Sequence, residues 1–352
     1  MSKGFRLKPA ARAVMACCLI ASPSVYAEGE HWVQRINMSG VVEAEYGSSE
    51  DYAGKKSSDI TVATVEINID GKVNDKVNAY VTLLHEEDDT PFSVDAAYID
   101  VALGPVNVHV GAMGAPFGSF ESTMLSDSLV LQIAETAESM LLVGTEMGPV
   151  QASVYMFNGD TQEKGGDDVA DQHGARLAFV SEGDSSNIDI GIDYINNIAD
   201  SDTIGGYFTK AVADGGLGTN EVKSYVPAQI IHANLSFGGF HLFLEHLVAD
   251  KFADNEVVFK GKGAEITATN VELAYDLNIA GVETTIGIAR QTTEQALALG
   301  MPKEKSLFSM SFGVYKFTAL TFEYATSTDY DVVDGGTGKD ATSYTLQLAI
   351  GF

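Results

Sequence analysis

The chain has 352 residues, 45% of them hydrophobic and 9% aromatic, with 35 glycines against 8 prolines. Its formal net charge is −28, from 21 basic and 49 acidic residues. That excess of acid excludes nucleic acid as a partner, since phosphate backbones are held through lysine and arginine, and the lack of any eighteen-residue apolar run beyond residue 27 excludes a transmembrane helix.

Residues 1–27 read as a secretory signal peptide. Lys3, Arg6, Lys8 and Arg12 precede the apolar run AVMACCLIASPSV, and Val25 and Ala27 take the small-residue positions of a cleavage site. The run is too short to span a bilayer as a helix, and Cys17, in mid-run, is a poor lipoprotein signal. Both cysteines, Cys17 and Cys18, leave with this peptide. Residues 28–352 then form one domain that uses no disulfide in an oxidising compartment. Without the four leader cations, 17 basic residues remain and the net charge becomes −32. Such a surface favours cations, or surfaces bridged by cations.

Alternation of apolar and polar residues predicts sixteen strands, at about 32–46, 59–70, 76–86, 92–103, 106–113, 140–148, 149–158, 172–182, 187–196, 224–237, 240–249, 266–277, 282–293, 305–313, 317–328 and 340–352. Every second connection is tight, such as Gly104-Pro105, Gly148-Pro149 and Gly238-Gly239. The intervening connections, such as 47–58, 159–171, 198–223 and 327–339, are long and polar. Short turns on one side and long loops on the other, around an even number of strands, predict an all-β fold: a transmembrane antiparallel β-barrel of the outer membrane. Both chain ends then lie on the turn side, in the periplasm.

The two faces of the strands agree with this. Ile188, Ile190, Ile192 and Tyr194 alternate with Asp189, Gly191 and Asp193. Val271, Leu273, Tyr275 and Leu277 alternate with Glu272, Ala274 and Asp276. Charge at every second position is costly against lipid, so the polar face must be wet. The Gly238-Gly239 turn fixes a register: with Phe237 opposite Phe240, Leu235 meets Leu242 facing out and His232 meets Glu245 facing in. The closing segment YTLQLAIGF keeps a two-residue period to Phe352. A strand held that regular to its end is expected to pair with the first strand, because no edge survives in hydrocarbon. A secreted sandwich or solenoid is the bland alternative.

Sixteen strands enclose an aqueous lumen, and selectivity then needs a narrowing. The third long connection, GAPFGSFESTMLSDSLVLQIAETAES (114–139), is unusually apolar. It is expected to fold into the lumen and form the constriction with Pro116, Phe117, Phe120, Glu121, Asp127, Glu135 and Glu138. The alternative is that its carboxylates are solvated loop charges. The inward faces carry Glu43, Glu45, Glu66, Asp100, Glu245, Glu272 and Glu323 against Arg35, Arg176 and His232, a lumen expected to favour cations. Acidic loops such as HEEDD (85–89) and GGDD (165–168) lack the spacing of a calcium loop. They read as solvated charge or as cation-bridged contacts to lipopolysaccharide, and neither metal nor cofactor is expected. His232 beside Glu245 is the best pair an enzyme would have, and no serine or orienting third group accompanies it. The chain is too short for the roughly twenty-two strands and plug of a TonB-dependent receptor, so passage is expected to be passive or gated by loops.

Three stretches, SSDITVATVEINIDGKVNDKVNAYVTLLHEEDD (57–89), GAMGAPFGSFESTMLSDSLVLQIAETAES (111–139) and VYMFNGDTQEKGGDD (154–168), resemble the LbtU family of siderophore porins of gammaproteobacteria. The second half is similar to that family only in architecture. The resemblance implies an outer-membrane barrel taking part in TonB-independent uptake of a ferric siderophore. Other expectations left open are a general, mildly cation-selective diffusion porin and a surface adhesion or structural barrel. The partners expected are a ferric siderophore or similar small polar solute, outer-membrane lipid and lipopolysaccharide; porins of this size are often homo-trimers.

Overall fold

A computed structural model of the chain describes residues 35–86, 91–183 and 186–352. The leader expected at 1–27 lies outside them, as does most of the acidic stretch 85–89. The described chain folds into a closed sixteen-strand barrel in which each strand pairs antiparallel with its sequence neighbours. The strands are β1 (Ile36–Glu50), β2 (Lys56–Asn74), β3 (Val77–Glu86), β4 (Ser93–Leu103), β5 (Val106–Gly114), β6 (Ala137–Met147), β7 (Val150–Phe157) and β8 (Gln172–Gly183). They continue as β9 (Ser186–Ile195), β10 (Ala228–Phe237), β11 (Phe240–Lys251), β12 (Glu265–Ile279), β13 (Val282–Glu294), β14 (Glu304–Tyr315), β15 (Thr318–Thr328) and β16 (Asp340–Gly351).

Closure follows from the last strand. β16 runs antiparallel to β1 from Val41↔Gly351 to Glu50↔Thr342, and Phe352 exchanges backbone hydrogen bonds with Gly40 beyond that register. From Gly40 to Glu50 the edge of β1 at this seam is paired, as the bilayer requires of a barrel. On β16 the alternation separates exposed Tyr344, Leu346, Leu348 and Ile350 from buried Gln347 and Ala349. The outer face of the barrel is therefore the apolar one. The register read from Gly238-Gly239 is the one observed, with Phe237↔Phe240, Leu235↔Leu242 and His232↔Glu245.

Boundaries differ where polar strands leave the membrane. Residues 47–58, expected as a long loop, are mostly strand: β1 and β2 stay paired to Glu50↔Lys56, leaving a turn at 51–55. A Ser49–Ser57 hydroxyl hydrogen bond and a Glu50–Lys56 ion pair hold this polar hairpin, which has no apolar face to announce it. β10 starts at Ala228 rather than 224, after Pro227, which cannot donate to a ladder.

The segment 198–223, expected as a polar loop, has a core of its own. It carries the helix Asp202–Thr209 (α2), and Ile198, Ala199, Ile204, Phe208 and Val222 are fully buried. These side chains join Phe252, Val257, Ala264, Ala296 and Met301 of other outer loops, and the third loop beneath, in one hydrophobic cluster. Outside the barrel wall, a short ladder of Gln162–Glu163 with Glu221–Val222 ties two loops together, and Val258–Phe259 pairs with Lys262–Gly263 as a hairpin within a third.

Candidate functional site

The third loop, between β5 and β6, folds into the barrel and lies on the inner wall of β9–β15. Its apolar residues do what water would not permit outside: Phe117, Met124, Leu125, Leu129, Val130, Ile133 and Ala134 are all buried. A short helix, Leu129–Ala134 (α1), is N-capped by Ser128, whose hydroxyl accepts from Leu131 N at 3.0 Å. Met124 sits in a socket on the wall formed by Ala289, Leu307 and Ala325.

A row of wall carboxylates catches the loop backbone. Asp193 accepts from Gly118 N at 3.0 Å. One oxygen of Glu245 accepts from Ser119 N at 2.9 Å and Phe120 N at 2.8 Å. Glu272 accepts from Thr123 N and the Thr123 hydroxyl, both at 2.6 Å, and from the Ser122 hydroxyl at 2.7 Å. Glu323 accepts from Leu125 N at 2.6 Å, and also from Ser126. The wall amide Gln291 takes Leu129 N at 3.2 Å. A loop outside regular structure must place its N–H groups somewhere, and here anionic acceptors supply short, charge-assisted bonds.

Behind Gly118 lies a compact ion cluster. Arg176 on β8 donates to Asp189 at 3.3 Å, approaches Asp193 at 3.5 Å and donates to Gly118 O at 3.0 Å. The His232 ring, fully buried, lies between Asp189 at 3.3 Å and Asp193 at 3.2 Å. His232 and Glu245 are cross-strand neighbours as expected, yet they bond elsewhere: His232 faces the two aspartates and Glu245 faces the loop.

The expected constriction residues separate into distinct roles. Phe117 is buried beneath the loop with Met113, Ile133, Met140 and Phe157, so it anchors the loop and does not reach the lumen. Asp127 is likewise buried rather than displayed. Glu135 caps α1, and its carbonyl accepts from Asp202 N of α2 at 2.8 Å. Glu138 faces inward from β6 opposite Met113, half-buried. Pro116, Phe120 and Glu121 are half-buried on the loop, with Phe120 at φ 57°. Burial pushes the Glu121 carboxyl above its ordinary range, and the Asp189 carboxylate adds to this. Of the expected lumen residues, Glu245, Glu272 and His232 point inward but are covered, and Arg35 is exposed just before β1. The Glu245 and Glu272 carboxylates are occupied by loop amides, so these two do not act as open pore charges. The sequence carried no local sign of this, since each pairing joins residues far apart, such as Leu125 and Glu323, separated by 198 positions.

Register carries the inward assignment from Asp193 round to the wall away from the loop's carboxylate anchors. Asp193↔Arg176, Arg176↔Ser153, Ser153↔Gly144, Gly144↔Asn107 and Asn107↔Ala102 share one face. By strict alternation, Asp100 and Tyr98 on β4, Tyr80 on β3, and Asp70 and Glu66 on β2 face inward too. The loop's hydrogen bonds to wall carboxylates run along β9–β15, and Glu66, Asp70 and Asp100 face inward on β2 and β4, away from those contacts.

Comparison with known proteins agrees with the barrel fold. The model of the family "Phosphate-selective porin O and P" matches residues 36–214, half of the chain. The chain belongs to this family. Its closed sixteen-strand barrel is that of an outer-membrane porin. Among curated relatives, a UPF0422 protein of Legionella pneumophila (strain Lens) is 24% identical over 84% of this chain and 62% of its own length. A UPF0422 protein of Coxiella burnetii is 24% identical over 88% of this chain and 67% of its own. The porin thus spans less than two thirds of the Legionella relative. Similar folds include the outer-membrane channel DcaP of Acinetobacter baumannii, TM-score 0.61 at 12% identity, covering 90% of this chain and 97% of that one. OprB of Pseudomonas putida gives 0.60 at 12% identity over 91% and 95%. OmpT of Vibrio cholerae in its trimer form gives 0.55 at 13% identity over 90% and 99%.

Proposed function

We propose that this porin passes small polar solutes by diffusion and favours cations and neutral molecules over anions. The observation that carries the reading is the charge of the wall away from the third loop's anchors: Glu66, Asp70 and Asp100 face inward there, while Arg176 is engaged by Asp189 and Asp193. Low-dielectric walls of one sign concentrate counter-ions in a narrow passage. Passage of phosphate, the solute in the family's name, calls for rings of arginine or lysine. The acidic lining supports a different preference in this member.

A ferric siderophore, crossing without TonB, is the narrower cargo that the resemblance of 57–89, 111–139 and 154–168 to the LbtU family supports. The apolar outer face is read as the lipid contact, with the acidic loops bridged by cations to lipopolysaccharide. A homo-trimer is proposed on the likeness to OmpT, described in a trimer form.

The test is single-channel conductance of the refolded protein in a planar bilayer, with a ferric siderophore added on one side. Discrete steps interrupted by micromolar siderophore support the narrower cargo. Steps indifferent to it leave a general diffusion porin. No steps from folded protein contradict the channel reading and favour a surface or adhesion role.

A further inference from the structure

The inner wall away from the loop's carboxylate anchors carries an aromatic feature, whose Tyr98 borders the hydrophobic cluster that the third loop joins. Tyr80 and Tyr98 are register partners on β3 and β4. Their rings stack with centroids 4.9 Å apart and 23° between planes. His109 on β5 meets Tyr98 edge-on at 5.9 Å. Carboxylates flank the stack on both sides. Asp70 is the partner of Tyr80 across the β2–β3 ladder. Asp100 lies two positions along β4 from Tyr98, on the same face, and its Oδ2 accepts from Asn78 at 3.3 Å. The other oxygen, Oδ1, is shielded from solvent and accepts no hydrogen bond, and His109 Nδ1 stands 3.6 Å away. A cavity of about 120 Å³ beside His109, with Glu146 and Gln151 in its lining, continues the polar path towards the turn side.

We propose that this cluster is a subsite for small organic cations, ammonium or guanidinium compounds, within the passage; it rests on the cation-favouring channel reading above. Tyrosine faces attract a cation through their quadrupole. The Asp70 and Asp100 carboxylates beside those faces add attraction for a ligand that brings both positive charge and N–H groups. Neutral sugars also stack on aromatic faces, but they bring no charge to offset Asp70 and Asp100. Anions meet carboxylates on both sides of the stack and are repelled.

The probe is agmatine, which carries a guanidinium and an ammonium, added to the refolded full chain in planar bilayers under potassium chloride. Agmatine is expected to block the current, and Tyr98→Leu and Asp100→Asn each to weaken the block by about tenfold, normalised to each variant's own potassium chloride current. Saturation-transfer NMR in detergent micelles is expected to show magnetisation passing from protein to agmatine, weakened in the same variants. Asp100→Asn keeps the shape of the side chain, so it tests charge where Tyr98→Leu also disturbs packing. An agmatine block equal in wild type and both variants overturns the subsite, as does a block by glucose, rather than agmatine, that Tyr98→Leu relieves. Conductance without agmatine block contradicts the subsite alone. Absence of conductance from protein with heat-modifiable gel migration contradicts the channel reading itself.

Discussion

One oxygen of Glu272 holds Thr123 twice, accepting from its backbone N–H and from its hydroxyl, both at 2.6 Å. Glu272 is a wall residue with no solvent exposure and Thr123 is the middle of the third loop. The contact shows an acidic inner face put to structural use, anchoring the third loop to the wall.

Replacing Glu272 by alanine removes that acceptor and leaves the Thr123 and Ser122 donors without it. The expected cost is about 3 kcal/mol, the scale of hydrogen bonds to a buried charge. Because the bonds hold the loop rather than the wall, the barrel is expected to keep its heat-modifiable gel migration. Single-channel records are expected to show higher conductance and more frequent current fluctuations. Unchanged conductance and noise would remove the anchoring role.

Gly287 on β13 faces the loop at close quarters. A Cβ built there would lie 2.6 Å from Met124 Cε, 2.7 Å from Thr123 Oγ1 and 2.8 Å from Ser309 Oγ. Gly287→Val is therefore expected to lift the loop off its socket. The measurement is limited proteolysis of folded protein, with cleavage within 115–136 appearing in the variant and not in wild type.

Gly40 and Phe352 meet at the barrel seam. A Cβ at Gly40 would lie 2.5 Å from Glu66 O and 2.7 Å from the Phe352 ring, so the phenyl ring covers the glycine as an aromatic rescue. Gly40→Leu is expected to displace Phe352 and slow closure. Refolding into detergent, followed by the fraction that migrates as the unboiled compact form, is expected to lag behind wild type.

The pH dependence of Glu121 follows from its raised pKa. Burial, then Asp189, makes the folded protein hold this proton at pH values where the unfolded chain has released it. Between the unfolded and folded values the native state binds more protons, so stability falls as pH rises through that window and is greatest below it. Glu121→Gln is expected to flatten that part of the profile and to raise the thermal midpoint at neutral pH relative to wild type. A profile that matches wild type in slope would count against it.

The barrel is legible in the sequence because its signal is local. A two-residue period, a Gly238-Gly239 turn and a regular last strand fix faces, register and closure from neighbouring residues. The third loop is legible too, since seven apolar residues in one connection have to be covered. Polar hairpins above the membrane are not: 47–58 lacks an apolar face, so nothing local distinguishes strand from loop. The inner carboxylates are visible as acids but not as anchors, because Glu245, Glu272 and Glu323 meet amides more than a hundred residues away. Phe117 reads as a constriction residue from its place in the loop. Only its burial in one cluster with Met113 and Met140 shows that it supports the loop from beneath.

The most direct test of the account is the reversal potential of the open channel under a tenfold potassium chloride gradient. A sign showing potassium more permeant than chloride is the predicted result, and it should weaken in Asp70→Asn with Asp100→Asn. A sign showing chloride more permeant would contradict a passage lined by Asp70 and Asp100.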